Sequence, residues 1–471
     1  MYLAHKRTLV FLASLMLALS AHSQIRIGTG DAKRLYTQHC MACHQADLAG
    51  GLGGSLLDKD SWRVVGKDKS FIEYVLQGDE TTGMPAFEGE LSTEQIRAIE
   101  IYIDEERQIA EAKPPVADDA GTFESGGYKF SLETVVDDLD IPWSIAFLPD
   151  ESFLIAERPG PVRHFADGVL HPPVAGIPEA WARGQGGMME VALHPDYESN
   201  GWIYLGFSAA GEERTDAGMT KIVRGRIADN TWVDEELIFE APEETFMSSG
   251  QHFGTRIVFH DGYLFFAIGD RGRPADAQNL ELPNGKVHRI YDDGRIPADN
   301  PFVEVAGAFP TIYSYGNRNP QGLDIHPHTG ELWQSEHGPR GGDEVNLIES
   351  GLNYGWPVIT HGMNYNGTPI TDKTEKEGME QPKRYWTPSI SVCGIEFYRG
   401  DVFPDWQYDL FFGGLASEEL HRLVIEDGEV VDSSIVLKGA GRIRDVASGP
   451  DGTLYLALNN PNRIVRLVPA E

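Results

Sequence analysis

Gly449-Pro450-Asp451-Gly452-Thr453-Leu454-Tyr455-Leu456 is a turn followed by an alternating strand, and the same phrase occurs six times in the chain. The earlier copies are Phe147-Leu148-Pro149-Asp150 before Ser152-Phe153-Leu154-Ile155, His194-Pro195-Asp196 before Trp202-Ile203-Tyr204-Leu205, and Phe259-His260-Asp261-Gly262 before Tyr263-Leu264-Phe265-Phe266. Two more are His326-Pro327-His328-Thr329-Gly330 before Glu331-Leu332-Trp333 and Phe403-Pro404-Asp405 before Asp409-Leu410-Phe411-Phe412. Pro, Asp and Gly satisfy the backbone of a tight turn, and the aromatic and aliphatic residues after them fit a pleated, half-buried strand. Six similar hairpins at irregular intervals suit propeller blades with loop insertions, whereas a solenoid would keep a fixed period. The pattern predicts an all-β six-bladed propeller over residues 128–471.

Upstream the texture is helical. Cys40-Met41-Ala42-Cys43-His44 has the form of a c-type haem attachment site, in which Cys40 and Cys43 add to the haem vinyl groups and His44 ligates the iron. Thr81-Thr82-Gly83-Met84-Pro85 offers the thioether of Met84 as second ligand, and a His/Met pair suits electron transfer. A redox Cys-x-x-Cys would need a βαβ pattern, and a zinc site would need two more ligands nearby. Helices are expected from Asp31 to Gln38 and from about Ser92 to about Ala110. Ser92-Thr93-Glu94-Gln95 is a capping box for the second, and Ile96, Ile99 and Ile103 form its apolar face. The segment 28–111 resembles class I cytochromes c along its whole length: haem site, Gly-rich loop (Gly50, Gly51, Gly53, Gly54), Gly-Met-Pro loop and terminal helix follow in order. Residues 112–127, rich in Pro, Ala, Asp and Gly, are expected to be a linker.

Lys6 and Arg7 precede a short apolar run, Thr8 to Ser20, and Ala21-His22-Ser23 is a small-x-small cleavage site. Residues 1–23 therefore read as a signal peptide, and haem attachment behind it points to a bacterial periplasm. No later run has membrane-spanning length. With 39 basic and 72 acidic residues the formal charge is −33, which argues against nucleic acid and anionic membranes as partners and allows a basic or dipolar protein. Cys393 is left without a partner Cys, so no disulfide framework is expected and a buried thiol is the natural reading.

Polar residues cluster between the strands in Gly184-Gln185-Gly186-Gly187, Gly250-Gln251-His252-Phe253-Gly254-Thr255-Arg256, Gly316-Asn317-Arg318-Asn319-Pro320-Gln321-Gly322, Ser335-Glu336-His337-Gly338-Pro339-Arg340-Gly341-Gly342-Asp343-Glu344 and Arg442-Ile443-Arg444-Asp445. In this order they resemble the soluble glucose dehydrogenase and aldose sugar dehydrogenase family, which depends on pyrroloquinoline quinone (PQQ). The resemblance covers essentially all of 128–471. It implies that His252 is the catalytic base taking the proton of the sugar's anomeric hydroxyl. It also implies that Arg318, Arg442 and Arg444 hold the PQQ carboxylates, that Gln185 and Asn319 hydrogen-bond the cofactor or shape the substrate site, and that Tyr365 is a weaker candidate for the cofactor pocket, equally suited to core packing. PQQ is a tricarboxylate, and guanidinium forks match carboxylates better than a point charge does. Alone, Arg442 and Arg444 alternate along a strand, which puts both on one side, and they could be mere surface ion pairs.

The resemblance further places calcium at Asp343, Glu344 and the carbonyls of Gly338, Pro339 and Tyr354, all hard oxygen ligands. One ion would polarise the quinone and a second, at Glu344 and Tyr354, would be structural. Ser417 stands where family members carry a Lys near the cofactor, replacing a charge by one hydroxyl donor. The expected activity is periplasmic oxidation of an aldose to its lactone, with electrons passing from PQQ through haem c to a soluble or membrane-associated acceptor. Sorbosone or a related aldehyde is the alternative substrate. A calcium-dependent lactonase propeller and a non-enzymatic binding propeller are the other readings, though a lactonase has no use for a haem.

Overall fold

The computed structural model describes residues 29–57, 69–79, 81–111, 115, 117 and 121–470. The expected signal peptide and most of 112–120 lie outside them. The propeller's six sheets begin with inner strands Pro142–Phe147, Met188–Leu193, Ile257–His260, Pro320–Ile325, Val392–Phe397 and Arg442–Ser448, and each continues outward as an antiparallel meander. All six repeated turn phrases fall between the first and second strands of a blade. They therefore share one face of the ring, and the loops that lead into the inner strands open on the other.

The ring is closed by strands from both ends of the propeller. Tyr128–Val136 pairs with Arg463–Pro469, with Leu132 opposite Leu467, and Thr122–Ser125 adds a fifth strand outside it. That last strand falls inside the stretch expected to be linker; Phe123 alternates inward and stacks on Phe130, which gives the segment a reason to pair. Closure leaves no long edge between the first and last blades. Hydrophobic residues fill the gaps between neighbouring blades, as where Phe411 and Leu420 meet Leu454, Leu456 and Leu458. Leu456 is fully buried there. Leu456→Ala is expected to cost about 2–5 kcal/mol, read as a lower denaturation midpoint of the propeller at unchanged slope.

The N-terminal module has helices α1 (Thr29–His39), α2 (Met41–His44), α3 (Phe71–Gln77) and α4 (Thr93–Glu111). The capping box forms as expected: the Ser92 N–H donates to Gln95 Oε1 at 2.9 Å and the Gln95 N–H donates to Ser92 Oγ at 3.2 Å. Ile96, Ile99 and Ile103 are buried against Leu35, Tyr36 and Phe87. Among the described residues no helix is long and apolar enough to cross a membrane.

Candidate active site

The loop into the third blade carries His252 at φ 50°, a left-handed conformation that costs a non-glycine residue about 1–3 kcal/mol and collects at functional positions. Gln185 holds it there, its Oε1 accepting the His252 backbone N–H at 2.8 Å. The imidazole Nδ1 lies 2.6 Å from Asp270 Oδ1. Asp270 also accepts the Gly272 N–H and, at 2.8 Å, the indole N–H of Trp356. Burial works to raise the Asp270 carboxyl, but the hydrogen bond and charge of His252 outweigh it and hold the group below its usual range. An ionised Asp270 places the proton on Nδ1 and leaves Nε2 as a free acceptor. Burial also holds His252 below 6.5, against the opposing pull of Asp270. The ring is thus neutral at pH 7, as a general base must be. Asp270 and Trp356 escaped the sequence reading. The available signal was the glycine-flanked pair in Gly269-Asp270-Arg271-Gly272, at the end of a buried strand.

Two buried arginines stand nearby. Arg318 donates through Nη1 to the carbonyls of His337 (2.9 Å) and Gly338 (2.7 Å) and faces the Trp356 ring. Arg444 lies 3.7 Å over Trp143 and donates to Gln321 Oε1 at 3.2 Å. Both Nε atoms are buried without a hydrogen-bond partner, and among the described residues neither guanidinium is in an ion pair. Burial pushes Arg444 down to about 10. Unpaired buried cations are costly, so the donor set fits an anionic ligand such as a tricarboxylate. The simple alternation expected for Arg442 and Arg444 does not hold. Ile443 pairs with Leu458 and Asp445 with Ala457, which makes Arg444 the extra residue of a bulge and re-aims it. Arg442 is less buried, and its charge still acts on Arg444.

Asn319 lies 3.5 Å from His337 Nδ1. Desolvation and the charges of Arg444 and Arg318 hold His337 down to about 3. Cys393 is buried as expected, its Sγ 3.3 Å from Arg444 Nη1 and 3.9 Å from His337 Nε2. Arg256 is a hub that the sequence did not reveal. It pairs with Glu190 and Asp445 and donates to the carbonyl of Gln321, binding the second, sixth and fourth blades together around the axis.

The turn from His337 to Gly342 is organised by Asp343, which accepts the Gly338 N–H at 2.9 Å and the Ser391 N–H at 2.5 Å. A Cβ at Gly338 would stand 2.1 Å from the Gly342 carbonyl oxygen, so the turn requires glycine there. The Pro339 carbonyl accepts the Ser389 hydroxyl at 3.0 Å, and that of Gly338 accepts Arg318. Each carbonyl keeps a second lone pair. Among the described residues no three His, Cys, Asp or Glu side chains converge on one ion position. Glu344 faces Glu336 across two paired strands, both buried, with Asn346 donating to one and Asn317 to the other. The Oδ1 atoms of Asn317 and Asn346 have no partner. Two facing carboxylates and two free amide oxygens fit a hard cation, and burial pushes Glu344 up to about 7. Tyr354 is buried between the third and fourth blades, its hydroxyl on the Leu347 carbonyl. Tyr365 is 68 % exposed on a cavity that also reaches Gly338 and Pro339, so it packs in no core. The Ser417 hydroxyl is buried without a partner.

In the N-terminal module Cys40 and Met84 pack against one apolar cluster. His44 Nδ1 lies 2.8 Å from the Gly54 carbonyl, which fixes the ring and leaves Nε2 for a metal. A Cβ at Gly53 would come 2.5 Å from that ring, so the glycine-rich loop lies tight against the imidazole. These features fit a haem crevice.

The two sites together define an oxidoreductase: a quinoprotein-type propeller preceded by a c-type cytochrome. Residues 139–466 match the family model described as glucose / sorbosone dehydrogenase, and residues 29–103 match that described as cytochrome c oxidase, cbb3-type, subunit III. The chain belongs to the glucose/sorbosone dehydrogenase family, with a cytochrome c domain at its N-terminal side. Aldose sugar dehydrogenase YliI of Escherichia coli (strain K12) is 42% identical over 334 residues, 69% of this chain and 89% of the relative. The crystal structure of the soluble aldose sugar dehydrogenase from E. coli in the apo form is 39% identical with a TM-score of 0.68, covering 72% of this chain and 100% of that one. The PQQ-bound form of the Streptomyces coelicolor aldose sugar dehydrogenase is 27% identical with a TM-score of 0.59, covering 72% and 98%.

Proposed function

We propose that the chain is a periplasmic quinohaemoprotein that oxidises an aldose at its anomeric carbon to the lactone and delivers the electrons through haem c to an external acceptor. The observation that carries this reading is the His252–Asp270 dyad beside two buried, unpaired arginines. Arg318, Arg444 and Arg442 would hold the carboxylates of PQQ, with Asn319, Ser417 and Tyr365 at the edges of its site. PQQ, when bound, supplies the two-electron acceptor. His252 Nε2 takes the proton of the anomeric hydroxyl, Asp270 keeps that nitrogen free, and Gln185 fixes the loop that aims it. The Gly338 and Pro339 carbonyls would hold one calcium beside the cofactor, and Glu344 with Glu336 would hold a second, structural ion. Cys40, Cys43, His44 and Met84 would carry the haem, which exchanges one electron at a time. Sorbosone or a related aldehyde is the second substrate reading, favoured by the family match itself.

Reconstitution tests this directly. Apoprotein should be inactive toward sugars, and dye-linked activity should return only with PQQ and calcium together. Full activity after exhaustive chelation, or with NAD as acceptor, would overturn the reading.

A further inference from the structure

One side of α4 rests on the propeller beside the candidate cofactor turn. Arg340, two residues beyond Gly338, forms a forked pair with Glu105: Nε to Oε1 at 3.1 Å and Nη2 to Oε2 at 2.8 Å. One turn along the helix, Gln108 Oε1 accepts the Thr387 N–H at 2.9 Å. Earlier in α4 the charges of Arg97 and Asp104 act on the stacked pair His361 and Tyr385, whose ring centroids are 3.8 Å apart. Glu105 is only 8% exposed. Without Arg340 it would be an uncompensated buried carboxylate, so its burial makes sense only with the two domains together. Arg340 is itself held by paired backbone hydrogen bonds with Met363.

The contact is polar and incompletely filled. Cavities of about 440 and 460 Å³ lie between α4 and the propeller, and the second is walled by Glu105 and Glu106 on one side and by Gly338, Pro339 and Tyr365 on the other. Charged, incompletely packed contacts of this kind belong to domains that move relative to one another rather than to permanent cores.

We propose that α4 is a reversible seat. The Glu105–Arg340 pair latches the cytochrome beside the cofactor turn to receive electrons, and its release frees the cytochrome to meet an outside acceptor. The electron traffic rests on the proposed function; the latch does not. One sugar yields two electrons and two protons, and ferric haem takes one electron per visit. Two visits and two one-electron acceptors therefore serve each sugar, and both protons leave to solvent.

The test uses the full haem-loaded chain as parent, Glu105→Arg, Arg340→Glu and the double swap. Without PQQ, hydrogen exchange at 337–342 and at Thr387 should speed up about 10-fold in each single variant and recover in the double swap. With PQQ, haem reduction by glucose in stopped flow should slow about 10-fold in the single variants and return to within about 3-fold in the double swap, while turnover of Glu105→Arg with a neutral dye stays within about 2-fold. Because Arg340→Glu could disturb its own turn, Glu105→Arg, on the helix, is the deciding variant. Unchanged exchange and haem reduction in Glu105→Arg, or a double swap no better than the single variants, would overturn the seat. If no sugar reduces the haem of the parent, the proposed activity fails, and the exchange experiment still decides the latch.

Discussion

His252→Ala should lower turnover with sugar by at least about 10²-fold, the lower range for loss of a general base, and should leave PQQ binding nearly intact. Among the described residues the only ion-pair partner of the imidazole is Asp270, which engages Nδ1 and leaves Nε2 without a hydrogen bond. A conservative change one step back tests the tautomer. Asp270→Asn keeps the shape, but its amide can donate to Nδ1, which favours the tautomer with the proton on Nε2 and removes the base. Its loss should be about 10–10²-fold in turnover, with a lower melting temperature as well, because an amide nitrogen in the Oδ1 position meets the Gly272 N–H that the carboxylate accepts. The pH profile supplies a second readout. As the proposed base His252 would act only when neutral, and burial holds its pKa below the ordinary imidazole value, so activity of the parent should stay level as pH falls through the ordinary imidazole range and decline only at more acid pH. Asp270 raises that pKa, so residual activity of Asp270→Asn should persist to still lower pH. An unchanged turnover number in His252→Ala would move the base elsewhere.

The fold was legible because its information is local. Each hairpin phrase contains its own turn residues and its own alternating strand, and six copies need only be stacked. The fifth strand at Thr122–Ser125 was not legible: it is short, follows a run of Pro, Ala and Asp, and its partner strand belongs to the blade completed by the last residues of the propeller. The site was legible where charge chemistry recurs in ordered loops, as with Arg318 and His252. It was not legible where a side chain acts at a distance. Asp270 and Trp356 lie in stretches that read as ordinary turns or strand ends, and Arg256, though inside a recognised polar loop, gives no sign of its partners; only the ring's closure brings these residues to His252 and to the axis. The bulge at Arg444 was equally hidden, since alternation in sequence cannot show where one residue is inserted. Glu336 was missed because it reads as the polar end of a strand until its register opposite Glu344 is known.

Met84→Ala should remove most electron delivery to a protein acceptor or a bare electrode, by about 10-fold or more, while sugar oxidation with a small artificial dye stays nearly intact. The thioether packs against the same apolar cluster as Cys40, within the N-terminal module, so its loss would remove the proposed iron ligand without disturbing the propeller. A reduced-minus-oxidised spectrum should show a c-type α band in the parent, and the weak sulfur-to-iron absorption near the far red should vanish in the variant. The propeller alone gives the complementary experiment. It should begin at Gly121, because Thr122–Ser125 belongs to its closing sheet. The match spanning 100% of the E. coli structure with 72% of this chain indicates that such a propeller stands as a chain by itself. It should turn over sugar with dye and deliver few electrons to a protein, because the haem that would relay them is absent. Tethering the cytochrome replaces a bimolecular encounter by an intramolecular one at an effective concentration on the order of millimolar. Supplying the isolated cytochrome in trans at micromolar concentration should therefore recover only a small fraction of the delivery. Equal delivery by the isolated propeller would take the cytochrome off the electron path altogether, and the shared chain would then need another reason to exist.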